Sequence, residues 1–189
     1  MKLLLTGDSI IARHEGLSEP RINYELKKLL GNVELINTAV SGINSGAFFA
    51  RISELVLKVP VCDKIVILLG TNDLATHKQV PIRQFKQNME LIASSIICLY
   101  WPKNVILVSP PAVDEKKQRV RNNHLIKQYS KVIKDVAQEY KFTYIDLVQA
   151  MIDYGSLENL CHGIKNDGLH FGEYGYELLG KLIKNGITR

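Results

Sequence analysis

The chain has 189 residues, 46% of them hydrophobic and 23% charged, which is enough to bury a full core and excludes a disordered segment. No apolar run approaches the roughly 18 residues needed to cross a bilayer. The net charge of +5 is spread over several predicted helices, with one dense cluster from Lys116 to Arg121. No basic stripe interleaved with aromatics appears, which argues against a nucleic-acid partner; a solvated surface, or attraction of an anionic substrate, accounts for the charge.

Five apolar runs have strand length and β-branched content. In chain order they are Leu3 to Thr6, Val33 to Thr38, Lys64 to Leu69, Asn104 to Ser109 and Phe142 to Asp146. They are near-continuous rather than alternating, the pattern of strands buried on both faces of a parallel sheet. Helical spacing fills the gaps. Ser18 is placed to cap a helix with Pro20 in its first turn, running to Leu30 and stopped by Gly31. A second helix is predicted over Ala47 to Lys58. The third carries Ile82, Phe85, Met89, Ile92, Ile96 and Leu99 at three- and four-residue steps. The fourth places Leu125, Tyr129, Val132, Val136 and Tyr140 on one face. A last helix follows Gly172, with Tyr176, Leu179 and Ile183 inward. Alternating strands and helices with short, right-handed crossovers define the expected fold class. It is α/β, a three-layer α/β/α sandwich around a central five-stranded parallel sheet, flavodoxin-like, in a single domain over 1–189.

In such a sheet, ligands bind beyond the carboxyl ends of the strands, near the point where strand order reverses. The conspicuous polar residues fall there. Ser9 follows the first strand, Gly42 the second, Asn72 and Asp73 the third, and Pro110 and Pro111 the fourth. Asp167-Gly168-Leu169-His170 comes after the fifth strand and a long loop, just ahead of the last helix. Ser9 and His170 lie at opposite ends of the chain, so no local structure explains both. A fold that joined them would hold a nucleophile, a base and, in Asp167, a carboxylate to orient that base. The Asp-x-x-His spacing lets both side chains face one way across a single turn. Taken singly, each motif has a plainer role: Ser9 or the Asp167–His170 segment as a helix cap, Gly42 as a turn glycine, Asn72 as an Asx-turn residue.

Four blocks taken together resemble the SGNH hydrolases of the GDSL esterase/lipase family, named for Ser, Gly, Asn and His. They are Gly7-Asp8-Ser9-Ile10 (Ile where the family name has Leu), Ser41-Gly42-Ile43-Asn44-Ser45, Gly70-Thr71-Asn72-Asp73 and Asp167-Gly168-Leu169-His170. They stand in the family order and span nearly the whole chain. The resemblance implies a serine esterase working through an acyl-enzyme on Ser9, with His170 as general base and Asp167 orienting it. It implies an oxyanion hole built from the backbone N–H groups of Ser9 and Gly42 and the side-chain amide of Asn72. No cofactor and no metal is expected. The substrate is expected to be a small-molecule ester, with short acyl or acetyl esters of small molecules or sugars favoured by a chain too short for a separate lid domain. A lysophospholipase or thioesterase of the same family is the alternative, and a flavodoxin-like binding module the one from another class.

The remaining features take ordinary readings. Asp8 and Asp73 are expected to brace loops rather than react. Cys62, Cys98 and Cys161 are odd in number and widely spaced, so they are read as small buried or half-buried thiols. Phe48 and Phe49 either wall an acyl site or face the core. His14, His77, His124 and His162 default to surface or loop roles. Loops at 11–19, 74–80, 112–123 and 155–166 are expected to shape the leaving-group side. Within them Arg13, Lys78, Arg119 and Arg121 are read as solvated charge. The opening Met1 to Gly7 is too short for a leader's apolar core of about 7–15 residues. It is read as a buried strand, so a cytoplasmic protein without integral membrane contact is expected.

Overall fold

Leu3–Leu5, Ile65–Leu68 and Val105–Val108 are shut off from solvent, so the middle of the sheet is covered on both faces. In the computed structural model, which describes residues 1–188, these runs belong to β1 (Lys2–Gly7), β3 (Lys64–Leu68) and β4 (Val105–Val108), with β2 (Glu34–Asn37) and β5 (Thr143–Ile145) at the edges. All pairings are parallel, in the order β2-β1-β3-β4-β5. The order reverses at β1: the chain steps one way to β2, then back past β1 to β3. Right-handed crossovers in opposite directions carry their helices to opposite faces. Accordingly α2 (Arg21–Leu30) packs on α8 (Glu173–Ile187), whereas α4 (Ile82–Ile96) packs between α3 (Ser45–Ala50) and α5 (Asn123–Glu139). The α/β/α sandwich expected from the sequence is the observed fold. No helix among the described residues is long and apolar enough to cross a membrane.

The five strand positions match the apolar runs: β1 is one residue longer at each end, and the others are trimmed by at most one residue at an end. Several helix readings need correction. Ser18 is not a cap; α2 starts from Pro20, whose side chain makes no capping bond, because proline's fixed φ already suits a helix entry. The helix predicted over Ala47 to Lys58 starts earlier, capped by Asn44, and breaks after Ala50 into a wider turn over Ser53–Leu57. On α5 the buried stripe is Ile126, Tyr129, Ile133, Val136 and Ala137, turned about one position from the expected face, while Leu125 and Val132 sit half-buried at its margin. The stretch read as loop after β5 contains α6 (Leu147–Tyr154) and α7 (Leu157–Leu160). The Asp146 side chain caps α6 and Gly155, at φ 84°, ends it. Cys62 and Cys161 are buried thiols as expected, but Cys98 is exposed.

Candidate active site

The strand order reverses between β1 and β3, and Ser9 and Asn72 follow the carboxyl ends of these two neighbouring strands. Gly7 ends β1 at φ 137°, and a Cβ there would stand 2.0 Å from the Leu68 carbonyl oxygen. Only glycine lets the chain leave the sheet this close to β3. Asp8 then donates its N–H to Leu68 O at 3.1 Å. Its carboxylate accepts from Ile10 N at 2.9 Å and so caps α1 (Ser9–Ala12). The cap is Asp8, not Ser9, which leaves the Ser9 hydroxyl for other work.

That hydroxyl lies 3.1 Å from His170 Nε2. His170 Nδ1 lies 2.7 Å from Asp167 Oδ2, and Asp167 Oδ1 accepts the backbone N–H groups of Leu169 and His170 at 3.1 and 3.0 Å. An ionised carboxylate only accepts, so Nδ1 carries the proton and Nε2 is left to accept from the Ser9 O–H. Burial tends to raise the Asp167 pKa, but the hydrogen bonds from His170 outweigh it and hold the carboxyl below its usual value. Burial is also the main cause that lowers the His170 pKa; Asp167 opposes it, and the charges of Arg13 and Lys165 add to the lowering. The balance favours the neutral imidazole over the imidazolium. Ser9 and His170 are 8% and 7% exposed, so both are reached through a small window. The plainer role for the Asp167–His170 segment, a cap on the last helix, does not hold, because α8 starts from Gly172 without a side-chain cap.

Gly42 and Asn72 complete the rim. Gly42 has φ 83°, and no heavy atom lies within 4 Å of where its Cβ would be. Its turn geometry and an unobstructed face therefore coexist. Asn72 Nδ2 donates to Ile43 O at 2.9 Å, so the amide ties the third block to the second rather than forming an Asx turn. Among the described residues, neither the Ser9 nor the Gly42 backbone N–H has an acceptor. Asp73 is buried and accepts both the N–H and the hydroxyl of Ser45, which Asn88 Nδ2 reaches at 2.8 Å. Burial raises the Asp73 pKa and the Ser45 bonds restrain it. Full burial likewise pushes Asp8 up to about 6, restrained first by the neighbouring Thr71 hydroxyl. Both aspartates brace backbone, as the sequence suggested. Asp8 Oδ2 and Thr71 Oγ1 nevertheless lack a well-aligned bond.

Other residues move from their expected places. Phe48 is wholly core, and Phe49 is half-buried and packs against it. Lys78 and Arg119 are exposed as read, but Arg121 is half-buried and its Nε donates to Thr71 O at 2.7 Å, with its charge facing Asp8 and Asp167. Arg13 is also half-buried and pairs with Glu15. The other four histidines are exposed. Sequence reasoning missed the support from the loop after β4. There Asp114 N donates to Gly168 O at 2.8 Å and Gln118 Nε2 to Asp167 O at 3.3 Å. No periodicity or spacing marks such contacts beforehand.

A Ser–His–Asp array at the switch point of a parallel α/β/α sheet is the layout of a serine hydrolase. The chain belongs to the GDSL-like lipase/acylhydrolase family, whose profile matches residues 5–178, and it is a carboxylic ester hydrolase of that family. A GDSL esterase/lipase of Arabidopsis thaliana is 26% identical over 217 residues, covering 98% of this chain and 87% of that relative. The crystal structure of a lipase/acylhydrolase from Enterococcus faecalis superposes with a TM-score of 0.86 at 30% identity, covering 98% of this chain and 94% of the other. An acetylxylan esterase from Geobacillus stearothermophilus superposes at 0.80 with 20% identity, over 98% and 93%, a likeness of fold.

Proposed function

We propose that the protein hydrolyses short-chain carboxylic esters, acetyl esters of small molecules or sugars in particular, through an acyl-enzyme on Ser9. The observation that carries the reading is the unbroken contact series from Ser9 Oγ to His170 Nε2 and from His170 Nδ1 to Asp167. A neutral serine hydroxyl is a weak nucleophile and needs a base within hydrogen-bond reach. His170 takes the proton as Ser9 Oγ bonds to the ester carbonyl carbon, and Asp167 stabilises the imidazolium that results. The oxyanion of the tetrahedral intermediate is received by the free N–H groups of Ser9 and Gly42 and by the second Nδ2 hydrogen of Asn72. His170 then protonates the departing alcohol. In the second half it takes a proton from water, which attacks the acyl carbon, and returns that proton to Ser9 Oγ as the Ser9–acyl bond breaks and the acid leaves.

Two observations favour a small acyl group. Phe48 and Phe49, the aromatics next to the second block, are turned into or against the core, so they do not build a long apolar channel. The similarly folded enzyme from Geobacillus stearothermophilus is an acetylxylan esterase. Hydrolysis of p-nitrophenyl esters from acetate to palmitate tests the reading. The expected result is fastest turnover on acetate and none in Ser9→Ala. Turnover that survives in Ser9→Ala overturns the nucleophile assignment, and a preference for palmitate replaces the acetylesterase with a lipase or lysophospholipase.

A further inference from the structure

Glu15, six residues beyond Ser9, has φ 47°, in the left-handed region that a residue with a Cβ occupies only under strain. Its side chain is 5% exposed, and both carboxylate oxygens are engaged. Oε1 accepts from Arg13 Nε, and Oε2 accepts from the backbone N–H of Ile164 at 2.7 Å. Ile164 lies in the segment that leads to His170, 149 positions further along the chain. A strained, buried carboxylate with a cation on one oxygen and a distant amide on the other is a built contact, because burying it unpaired would be costly.

Backbone bonds extend this contact to both reacting groups. Arg13 donates its N–H to Ser9 O at 3.0 Å, and Gly163 donates its N–H to His170 O, also at 3.0 Å. A Cβ on Gly163 would stand 2.5 Å from Phe171 O and 2.8 Å from His170 O, so the two stretches of chain are pressed together. A closed path therefore runs from Ser9 through Arg13, Glu15, Ile164 and Gly163 to His170, and returns through the 3.1 Å contact between Ser9 Oγ and His170 Nε2.

We propose that Arg13 and Glu15 are positioning residues: they latch the Ser9 loop to the His170 loop and fix the distance between hydroxyl and imidazole. The inference rests on Ser9 and His170 being nucleophile and base. It also explains why Arg13 is not the solvated charge that its loop position suggests. The latch places charge beside the base as well. The groups that act on the imidazole are Asp167, Arg13 and Lys165, with Glu15 neutralising Arg13 and Arg121 facing Asp167. Removing the Arg13 cation raises the pH at which His170 loses its proton. Removing the Glu15 anion leaves Arg13 unneutralised and lowers it.

The test compares wild type with Glu15→Ala, Glu15→Gln, Arg13→Gln and the Arg13→Gln/Glu15→Gln double variant. It measures kcat and KM on p-nitrophenyl acetate and the pH dependence of Ser9 labelling by a fluorophosphonate. Glu15→Ala should lower kcat by about tenfold to a hundredfold with KM little changed, the cost of a slightly misplaced base. Glu15→Gln keeps an acceptor for the Ile164 N–H and should recover much of that loss. The midpoint of the acid limb should move up in Arg13→Gln and down in Glu15→Gln, by about half a pH unit each, and return towards wild type in the double variant. A kcat for Glu15→Ala within about twofold of wild type, given how much such misplacement costs, overturns the latch. So does a midpoint that stays put, or moves the same way, in both single variants. Ser9→Ala run alongside separates the two claims: if it is inactive while the latch variants behave as wild type, only the latch falls, and if it is active the esterase reading falls with it.

Discussion

Ser9 and His170 stand 3.1 Å apart, yet the chain delivers them by opposite routes. Ser9 is placed within three residues of a central strand. Gly7 presses against Leu68 O, Asp8 bonds to the same carbonyl, and the Asp8 carboxylate caps the turn that presents Ser9. His170 sits at the end of a segment with little regular structure of its own, and contacts from distant loops hold it. Asp114 bonds to Gly168 O, Gln118 to Asp167 O and Glu15 to Ile164 N, while Gly172 N–H reaches back to Leu160 O at 3.1 Å. One half of the site is fixed by a covalent neighbour in the sheet, the other by tertiary packing. Changes remote in sequence should therefore disturb the base before they disturb the serine.

The largest effect expected separates chemistry from placement. Ser9→Ala leaves both frames standing, so kcat should drop by up to about a millionfold without loss of thermal stability. A melting temperature that falls in parallel would mean that the hydroxyl also holds the His170 segment. Asp167→Asn strikes the base side alone. It should cost about ten-thousandfold in kcat, and less than His170→Ala; equal losses would make orientation as necessary as the base itself. Asn72→Ala touches the serine side, where it also releases Ile43 O. It should lower kcat by about a hundredfold to a thousandfold with a smaller rise in KM, because an oxyanion contact strengthens in the transition state. A pure KM effect would mean that Asn72 only seats the substrate.

The smallest effect concerns stability. Burial raises the Asp8 carboxyl to about 6 in the folded chain, above the unfolded value near 4. Folding therefore favours the protonated form. The stability Asp8 contributes is full below about pH 4 and is lost as pH rises through 6, an amount of about 3 kcal/mol for a shift of this size. Asp8→Asn retains a capping oxygen and removes the titration. Thermal melts at acid and alkaline pH should show the variant gaining on wild type as pH rises. A constant difference would mean that Asp8 does not titrate against folding, and that the serine side is under no electrostatic load.

The same division governs what could be read from the sequence. The three central strands were legible because two-sided burial writes continuous apolar runs, as in Ile65–Leu68, and the half-buried edge strands β2 and β5 through their strand-length apolar and β-branched content. Of the four blocks, Gly7-Asp8-Ser9 and Asp167–His170 act within their own neighbourhood, whereas Gly42 and Asn72, which meet only in the fold, stood out through the family resemblance. Helix α6 was missed although its signals were present: Asp146 as a cap, Leu147, Val148 and Met151 as a buried stripe, and Gly155 as a left-handed stop. Only Asp146 separates the three-residue strand from the helix, and a single capping residue after so short a strand reads as the strand's own end. The break after α3 and the one-position turn of the α5 stripe depend on which neighbours fill the groove. Arg13, Glu15 and Arg121 were not legible in their roles. A charge in a polar loop looks solvated until the fold supplies the carbonyl or amide that it meets.

The central claim is that Ser9 is the residue activated by His170. Treating the intact protein with a fluorophosphonate and locating the adduct by mass spectrometry tests it without knowledge of the natural ester. A single adduct on Ser9, abolished in His170→Ala, is the expected result. Esterase turnover with no adduct on Ser9, or labelling that persists unchanged in His170→Ala, would contradict it.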